Sequence, residues 1–595
     1  MSKPRPVVSG LRRQAGQGSP RAQFPFATAV RRTIANGYTA SMLRADVMAG
    51  AVVAIVALPL SMALSIAVGA APQHGLYTAI VAGFVVALAG GSKHQVTGPT
   101  AAFVVVLAPI VSRYGVGGLL TAGMMAGVLL VGMGVARLGK LIEFIPHPVT
   151  TGFTAGIATV IATLQLKDCF GLHTGAMPDS YFAKLETLWA ARRSASVEEL
   201  GVAVATMALL LGVPRLTKRI PAPLVAIAVV SIVSTLVAAY APSFHVATIG
   251  SRFTSTVGGI TYAGIPPLPP LPRLPWGPGG LSFAMVRDLA GAAVAIAMLG
   301  AIESLLSAVI ADATTGKRHD PDAELVGLGI GNIVAPFFGG IAATGALART
   351  ATNIRAGAVS PVAAASHALF ILAAVLLGSR LVAFVPMASL AALLLLVAWN
   401  MSELEHFIHT ARVAPRSDVF VLVTCYVLTV VFDMVVAVSV GVVLAALLFM
   451  KRMSEVTESR MLKVSDTDRS RSLADGIALY EIAGPLFFGA AQRAMQSFGV
   501  VEEGIKVVVL ALGAVPVIDA TGLVALEGAI STLERQGMIV VIAGPLPEPR
   551  EVFERAHLEV SHDKVFFADT TDEATRLASD LILLSPGLGK PAAQG

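Results

Sequence analysis

The stretch HQVTGPTAAFVVVLAP, residues 94–109, decides the fold. It opens polar, carries Gly98 and Pro99, and becomes uninterrupted hydrocarbon from Ala101. A helix entering a bilayer from water needs no such preface. A helix that begins part-way across does, because its first N–H groups have no intrahelical partner. Irregular backbone at that depth survives only where it lines a cavity or is buried in protein. A second stretch, ATGALARTATNIRAG (343–357), repeats the pattern, and each of the two follows a glycine pair, Gly90-Gly91 and Gly339-Gly340.

Composition places both stretches in a membrane protein. The chain has 595 residues, 55% hydrophobic and only 13% charged, with a mean hydropathy of +0.76; ordinary soluble domains carry roughly 25% charge. The charge is uneven. Of 43 Lys/Arg and 37 Asp/Glu, residues 451–595 hold 14 and 20, so the tail reads as soluble and acidic and the rest as basic and membrane-like. No basic patch interleaves with aromatics, which excludes nucleic acid as a partner; the excess reads as the positive bias of cytoplasmic loops. Cys169 and Cys425 are far apart and lack metal-ligand spacing, so neither a disulfide framework nor a zinc site is expected. Nothing calls for a cofactor.

About 20 apolar residues span a bilayer. That ruler finds segments near 47–68, 74–90, 98–112, 117–137, 146–166, 198–214 and 221–240, then a proline-rich loop, IPPLPPLPRLPWGPGG (265–280), that no helix can cross. Seven more follow near 286–310, 325–340, 345–357, 361–378, 381–399, 418–433 and 434–451. An even count puts both termini on one side, and Arg12, Arg13, Arg31, Arg32, Lys451 and Arg452 make that side the cytoplasm. The boundaries expected are a cytoplasmic tail over 1–45 with a short surface helix, a membrane domain over 46–451, a linker over 452–474, an α/β domain over 475–585 and a flexible end over 586–595.

The two unusual segments are the third of each seven. Short, Gly/Pro-interrupted spans at matching places in two halves point to an inverted-repeat transporter and its site. Facing N-termini of two half-helices offer free N–H groups and dipoles to an anion. Thr97, Gly98, Thr100 and Ala101 form one lip, and Thr344, Gly345 and Ala346 the other: hydroxyls beside small residues that let a ligand near the backbone. The alternative is a pair of kinked, tightly packed helices with no ligand.

On these residues the chain resembles the sulfate permease (SulP) family, the bacterial relatives of the solute carrier 26 (SLC26) anion transporters. The likeness runs through residues 45–79, 96–109, 141–161, 297–312 and 331–361. VAWNMSE (397–403), GPLFFGAA (484–491) and Pro59-Leu60 are closest to its aerobic C4-dicarboxylate branch. The resemblance implies a 7+7 inverted repeat of fourteen helices. In it a core of spans 1–4 and 8–11 slides against a gate of 5–7 and 12–14, with substrate between the starts of spans 3 and 10. It also implies an inner-membrane location and a homodimer.

Glu303 lies among apolar side chains in MLGAIESLLSAV. A carboxylate there is expensive, so it should face the cavity, find a partner or take a proton, which makes it the proton-coupling candidate; the alternative is a neutral, hydrogen-bonded structural acid. Arg349, four residues after Gly345, is either a counter-charge for the anion or a partner of nearby acceptors. Arg355 reads as structural, Asp312 as an ion pair with Lys317 or Arg318, Glu143 as part of a loop cluster with Arg137 and Lys140, and His94 and His147 as capping or packing groups.

After residue 475 strands and helices alternate: IALYEI, IKVVVLAL (505–512), a helix within 517–537, MIVVIAG (538–544) and the helix EPREVFERAHL. This part resembles a STAS domain, whose signature falls on Asp519-Ala520-Thr521-Gly522. The family's phosphorylated position falls on Thr521, with Ala520 where a second hydroxyl is usual. Asp519 and Thr521 are therefore regulatory candidates, or else a helix cap, and a cytoplasmic protein partner is the matching expectation.

The function expected is secondary active, proton-coupled uptake of C4-dicarboxylates (succinate, fumarate, aspartate) by an elevator motion, without enzymatic catalysis. The alternative within the family is a sulfate or bicarbonate transporter. The alternative of another class is a membrane sensor with a STAS signalling module.

Overall fold

A computed structural model describes residues 25–140, 146–175, 177–178, 180–217, 221–241, 243–257, 259–276, 280–432, 434–456, 458–462, 475–487, 491, 504–558 and 564–584. The chain forms two compact units, Met1–Val442 and Val443–Gly595. The expected loop role of Glu143, most of the N-terminal tail and the C-terminal end lie outside the described residues.

The first unit opens with α1 (Thr28–Ala35), α2 (Ala40–Ala67), α3 (Pro72–Ala89), β1 (Thr97–Gly98), α4 (Ala101–Val135) and α5 (His147–Cys169). It continues with α6 (Tyr181–Ala190), α7 (Val197–Leu216), α8 (Ala222–Tyr240), α9 (Ile249–Arg252), β2 (Thr254–Val257), β3 (Ile260–Ala263) and α10 (Phe283–Thr315). Then come α11 (Pro321–Val334), β4 (Thr344–Gly345), α12 (Leu347–Arg355), α13 (Val362–Val382), α14 (Met387–Ser402), α15 (Leu404–Val413), α16 (Arg416–Val431) and the start of α17 (Met434–Val456), a helix that runs on into the second unit. Among the described residues, 10 helices are long and apolar enough to cross a bilayer. α4 is two spans in one, because Gly115 breaks it with φ 67° and ψ −176°, a conformation open to a residue without Cβ. The split, with the shorter α11, α12 and α16, completes the fourteen segments.

Packing sorts these helices into two groups. α13 lies on α2 and α3, α11 on α3 and α4, and α10 on α4; separately, α5 lies on α14 and α16, and α7 on α8 and α14. Glycines set the closeness of the first group. A Cβ on Gly127 would come within 2.6 Å of the Gly329 carbonyl, and one on Gly329 within 2.6 Å of the Gly127 carbonyl. Such backbone proximity is how helices associate where lipid removes the hydrophobic drive. The repeat is inverted, and two contacts display it. His74, in the first turn of α3, bonds through Nδ1 to the Gly339 carbonyl at 2.6 Å after α11. Glu324, in the first turn of α11, accepts from the Gly91 N–H at 2.9 Å after α3.

Three features have no span-length signal and escape the hydropathy ruler: α6, α15 and the β2–β3 hairpin, paired antiparallel from Thr254↔Ala263 to Val257↔Ile260. α6 exposes Phe182 and Trp189, with the Arg192 guanidinium 4.6 Å from the Trp189 ring. That is the composition of a helix lying in a membrane interface.

The second unit is a five-stranded sheet in the order β5 (Glu458–Leu462), β6 (Ile477–Ala483), β7 (Val507–Ala514), β8 (Ile539–Ala543), β9 (Val565–Ala568). β5 pairs antiparallel to β6 and the other neighbours are parallel. Val508, Leu510 and Leu512 bury one face of β7 in a cluster with Leu526, Ile530 and Phe553, from α18 (Ala520–Arg535) and α19 (Pro547–Arg555). Val507 and Val509 bury the other face with Ala574 and Ala578 of α20 (Thr571–Leu584). Burial on both faces explains why β7 reads as a continuous apolar run. β5 falls inside the stretch expected as a linker; its polar sequence ESRML gives an edge strand no periodic signature.

Candidate functional site

β1 and β4 are two residues each, far apart in sequence, and pair antiparallel: Thr97↔Gly345 and Gly98↔Thr344. The Ala346 N–H adds a bond to the Val96 carbonyl at 2.9 Å. From this junction the first half of α4 and the short α12 run away from one another, so their N-termini meet inside the unit. Neither start has a side-chain cap. Most other core helices differ: Thr39, Ser282 and Asp320 cap α2, α10 and α11, and Ser360 Oγ receives the first N–H of α13 at 3.2 Å, while α3, also without a side-chain cap, begins with proline, which has no N–H to satisfy. Two uncapped helix starts at one point concentrate free donors and two positive dipole ends.

The side chains around the junction fall into a lip and a foundation. Thr100 is the N-cap residue of α4, and its Oγ1 donates to Glu303 Oε2 at 2.8 Å. Glu303 is partly exposed on α10, and Oε2 is its one hydrogen-bonded oxygen among the described residues. Ala101 and Ala346 are each 8% exposed, the small openings in the lip. Thr344 Oγ1 donates to the Gly300 carbonyl of α10 at 2.8 Å, one turn before Glu303. Thr97 is buried, and its hydroxyl has no partner among the described residues.

Arg349 is the foundation. It is 1% exposed, and its Nη2 donates to the Pro99 carbonyl at 3.0 Å and Ser61 Oγ at 3.2 Å. Nε and Nη1 have no partner among the described residues. A Cβ at Gly98 would collide with Nη1, so the guanidinium lies directly against β1. A buried charge without a counter-ion is costly, and an anion above the strands would supply one. A Cβ at Gly345 would likewise collide with Gln95 Nε2. Both strand glycines are required by close approach.

Several residues that hold the junction are absent from the sequence expectation. Glu324, 1% exposed, accepts from the N–H groups of Gly91 and Ser92 at 2.9 Å each and from Gln95 Nε2 at 2.8 Å. Gln95 also donates to Ser304 Oγ. Asn332 holds the run into β4 through the N–H and carbonyl of Ala343 at 2.8 and 2.9 Å, and Thr350 Oγ1 receives the Val96 N–H at 3.1 Å. Asp46, fully buried, accepts from the Val359 N–H at 2.7 Å and the Ser360 N–H at 3.1 Å, and from Tyr38 at 2.8 Å. Glu324 carried one legible signal: an acid opening an apolar span just after a polar loop.

The remaining candidates lie elsewhere. Asp312 pairs with His319, through its N–H at 2.8 Å and Nδ1 at 2.7 Å, and not with Lys317 or Arg318; Gly316 turns the chain so that His319 comes back over the helix end. His94 is buried with both ring nitrogens unpartnered among the described residues. His147 bonds Thr151 and meets the His406 ring at 5.0 Å. Arg355 bonds the Ala351 carbonyl of its own helix at 3.2 Å. Asp519 caps α18 by accepting from the Gly522 N–H at 2.7 Å, and Thr521 is exposed beside it. Cys169 and Cys425 are free and buried. Among the described residues no cluster of three or more His, Cys, Asp or Glu could hold a metal.

Residues 43–425 match the model of the sulfate permease family. The chain belongs to that family. Residues 472–574 match the STAS domain. The chain is 38% identical over 540 residues to a Bacillus subtilis protein named "Putative sulfate transporter YvdB", covering 91% of this chain and 98% of that one. It is 30% identical over 529 residues to the bicarbonate transporter BicA of a Picosynechococcus species, covering 84% and 89%. Among solved structures, the transmembrane domain of a cyanobacterial BicA aligns at 26% identity with a TM-score of 0.58, covering 69% of this chain and 98% of that one. The inward-facing murine Slc26a9 anion transporter aligns with a TM-score of 0.80 over 97% and 100%, and at 17% identity it speaks to fold alone. The chain is therefore a multi-pass membrane transporter of anions with the SLC26 fold and a STAS domain.

Proposed function

We propose that the protein is a secondary active transporter of a small inorganic oxyanion, sulfate or bicarbonate, bound between the N-termini of α4 and α12. The observation that carries this is the pair of uncapped half-helix starts joined by β1 and β4, with the Arg349 guanidinium beneath and no carboxylate paired to it among the described residues. Free N–H groups and a fixed cation suit an oxyanion that presents several acceptors. Thr97, Gly98, Thr100, Ala101, Thr344, Gly345 and Ala346 form the lip. Glu303, tethered by Thr100 at 2.8 Å, is the group that takes and returns a proton as the core moves against the gate.

The relatives are named for sulfate and bicarbonate, which favours these over the C4-dicarboxylate expected from residues 397–403 and 484–491. The arginine-rich N-terminal stretch sets both termini in the cytoplasm of a bacterial inner membrane. The test is uptake by purified protein in liposomes with an inward proton gradient, using radiolabelled sulfate, bicarbonate and succinate in parallel. Accumulation of sulfate or bicarbonate that collapses with the gradient is expected. Accumulation of succinate alone would return the protein to the dicarboxylate branch, and no accumulation of any anion would favour the sensor reading.

A further inference from the structure

A second cavity, of about 450 Å³, lies away from the paired strands. It is bounded by the end of α2, the 101–114 half of α4 and the last turns of α5, and closed by Lys184 of α6 and by Arg252. None of Thr97, Thr100, Glu303, Thr344 or Arg349 lines it. α2 and α5 both end here, so it opens on the face opposite the N-terminal tail.

The walls divide by chemistry. Val104, Val160 and Leu164 give an apolar flank, and Lys167, Lys184, Arg252 and Asp168 supply the charge. Asp168 is the one acid among the described residues that line the cavity, and it is committed to Arg252 Nη1 at 2.8 Å. Within that pair the arginine side chain is 39% exposed and the aspartate 17%, so the guanidinium faces the opening. Lys167 is half-buried and makes no ion pair among the described residues. Among the described residues, Lys167 beside the Arg252–Asp168 pair leaves an excess of positive charge on low-dielectric walls, and such a cleft focuses field onto an incoming anion.

We propose that this cavity is an outer capture site for the transported oxyanion, held by Lys167 and Arg252 before it reaches the paired half-helices. The inference rests on the anion-transport reading above. The experiment uses right-side-out membrane vesicles containing the full chain, with radiolabelled sulfate or bicarbonate outside, whichever the wild type accumulates; a wild type that moves neither would fail the transport reading itself. Lys167→Gln should raise KM about tenfold, the low end of charge-steering effects, with the maximal rate changed far less. The dependence of wild-type KM on ionic strength should weaken with it. Asp168→Asn removes only negative charge and should lower KM, a gain that misfolding does not produce. On Lys167→Cys, a cationic thiol reagent should restore a low KM and an anionic one should raise it further. Inside-out vesicles should show none of these shifts. KM and salt dependence unchanged in Lys167→Gln and Asp168→Asn, in right-side-out vesicles that transport normally, would overturn the proposal.

Discussion

The two half-helices are alike in backbone and unlike in charge. Each begins after a two-residue strand, each lacks a side-chain cap, and each is entered through a glycine that close approach requires. But the start of α4 reaches an acid, through Thr100 to Glu303 at 2.8 Å, whereas α12 carries its own cation, Arg349, one turn in. The inverted repeat thus supplies a symmetric cradle of N–H donors, and side chains divide the work. One lip holds a group able to change its charge and the other sits on a charge that is fixed.

That division can be broken from either side. The largest effect is expected from Arg349→Ala, which removes the fixed cation: uptake at low substrate should fall about 30-fold or more, as for truncating one side of a buried charge contact, at unchanged protein level in the membrane. Arg349→Lys should recover part of it, since charge returns without the planar fork. Next comes the symmetric part. Gly98→Ala and Gly345→Ala push a methyl into Arg349 and Gln95 respectively, and an overpacking cost of about 1–3 kcal/mol should lower uptake about tenfold in both. Unequal effects would show that the two lips are not equivalent. Glu303→Gln should leave binding largely intact yet flatten the pH profile, whereas wild-type uptake rises as the outside is acidified. A Glu303→Gln profile parallel to wild type would remove Glu303 from coupling. The smallest effect is expected at the tether: Thr100→Val should cost about 1 kcal/mol for one lost hydrogen bond, a several-fold fall in rate that Thr100→Ser restores.

Much of this was legible in the sequence because the bilayer imposes length and hydropathy on every span. Fourteen segments could be placed by a ruler, and the two short ones announced themselves through Gly98-Pro99 and the Gly-Gly pairs. The Asp519 cap and the buried β7 were readable for similar local reasons. What was not legible is long-range or aperiodic. Two-residue strands separated by most of the membrane unit have no pattern to detect, so the Thr97↔Gly345 register had to come from the structure. Glu324, Gln95 and Ser304 are ordinary residues until folding brings them together. Asp312 was assigned to the adjacent lysine and arginine because neighbours in sequence are visible, whereas the turn at Gly316 that delivers His319 is not. The choice of anion left no periodic trace, since at the proposed site it would depend on the depth of a cradle made largely of backbone.

The most direct test of the central claim is protection of cysteines placed on the two lips, Ala101→Cys and Ala346→Cys, in a background with Cys169 and Cys425 replaced by serine. The rate of modification by a small soluble thiol reagent would be measured with and without the transported anion. Slowed labelling at both positions, at anion concentrations that match those driving uptake, is the result this account predicts. Labelling at either lip unaffected by an anion that the same protein is transporting would contradict it.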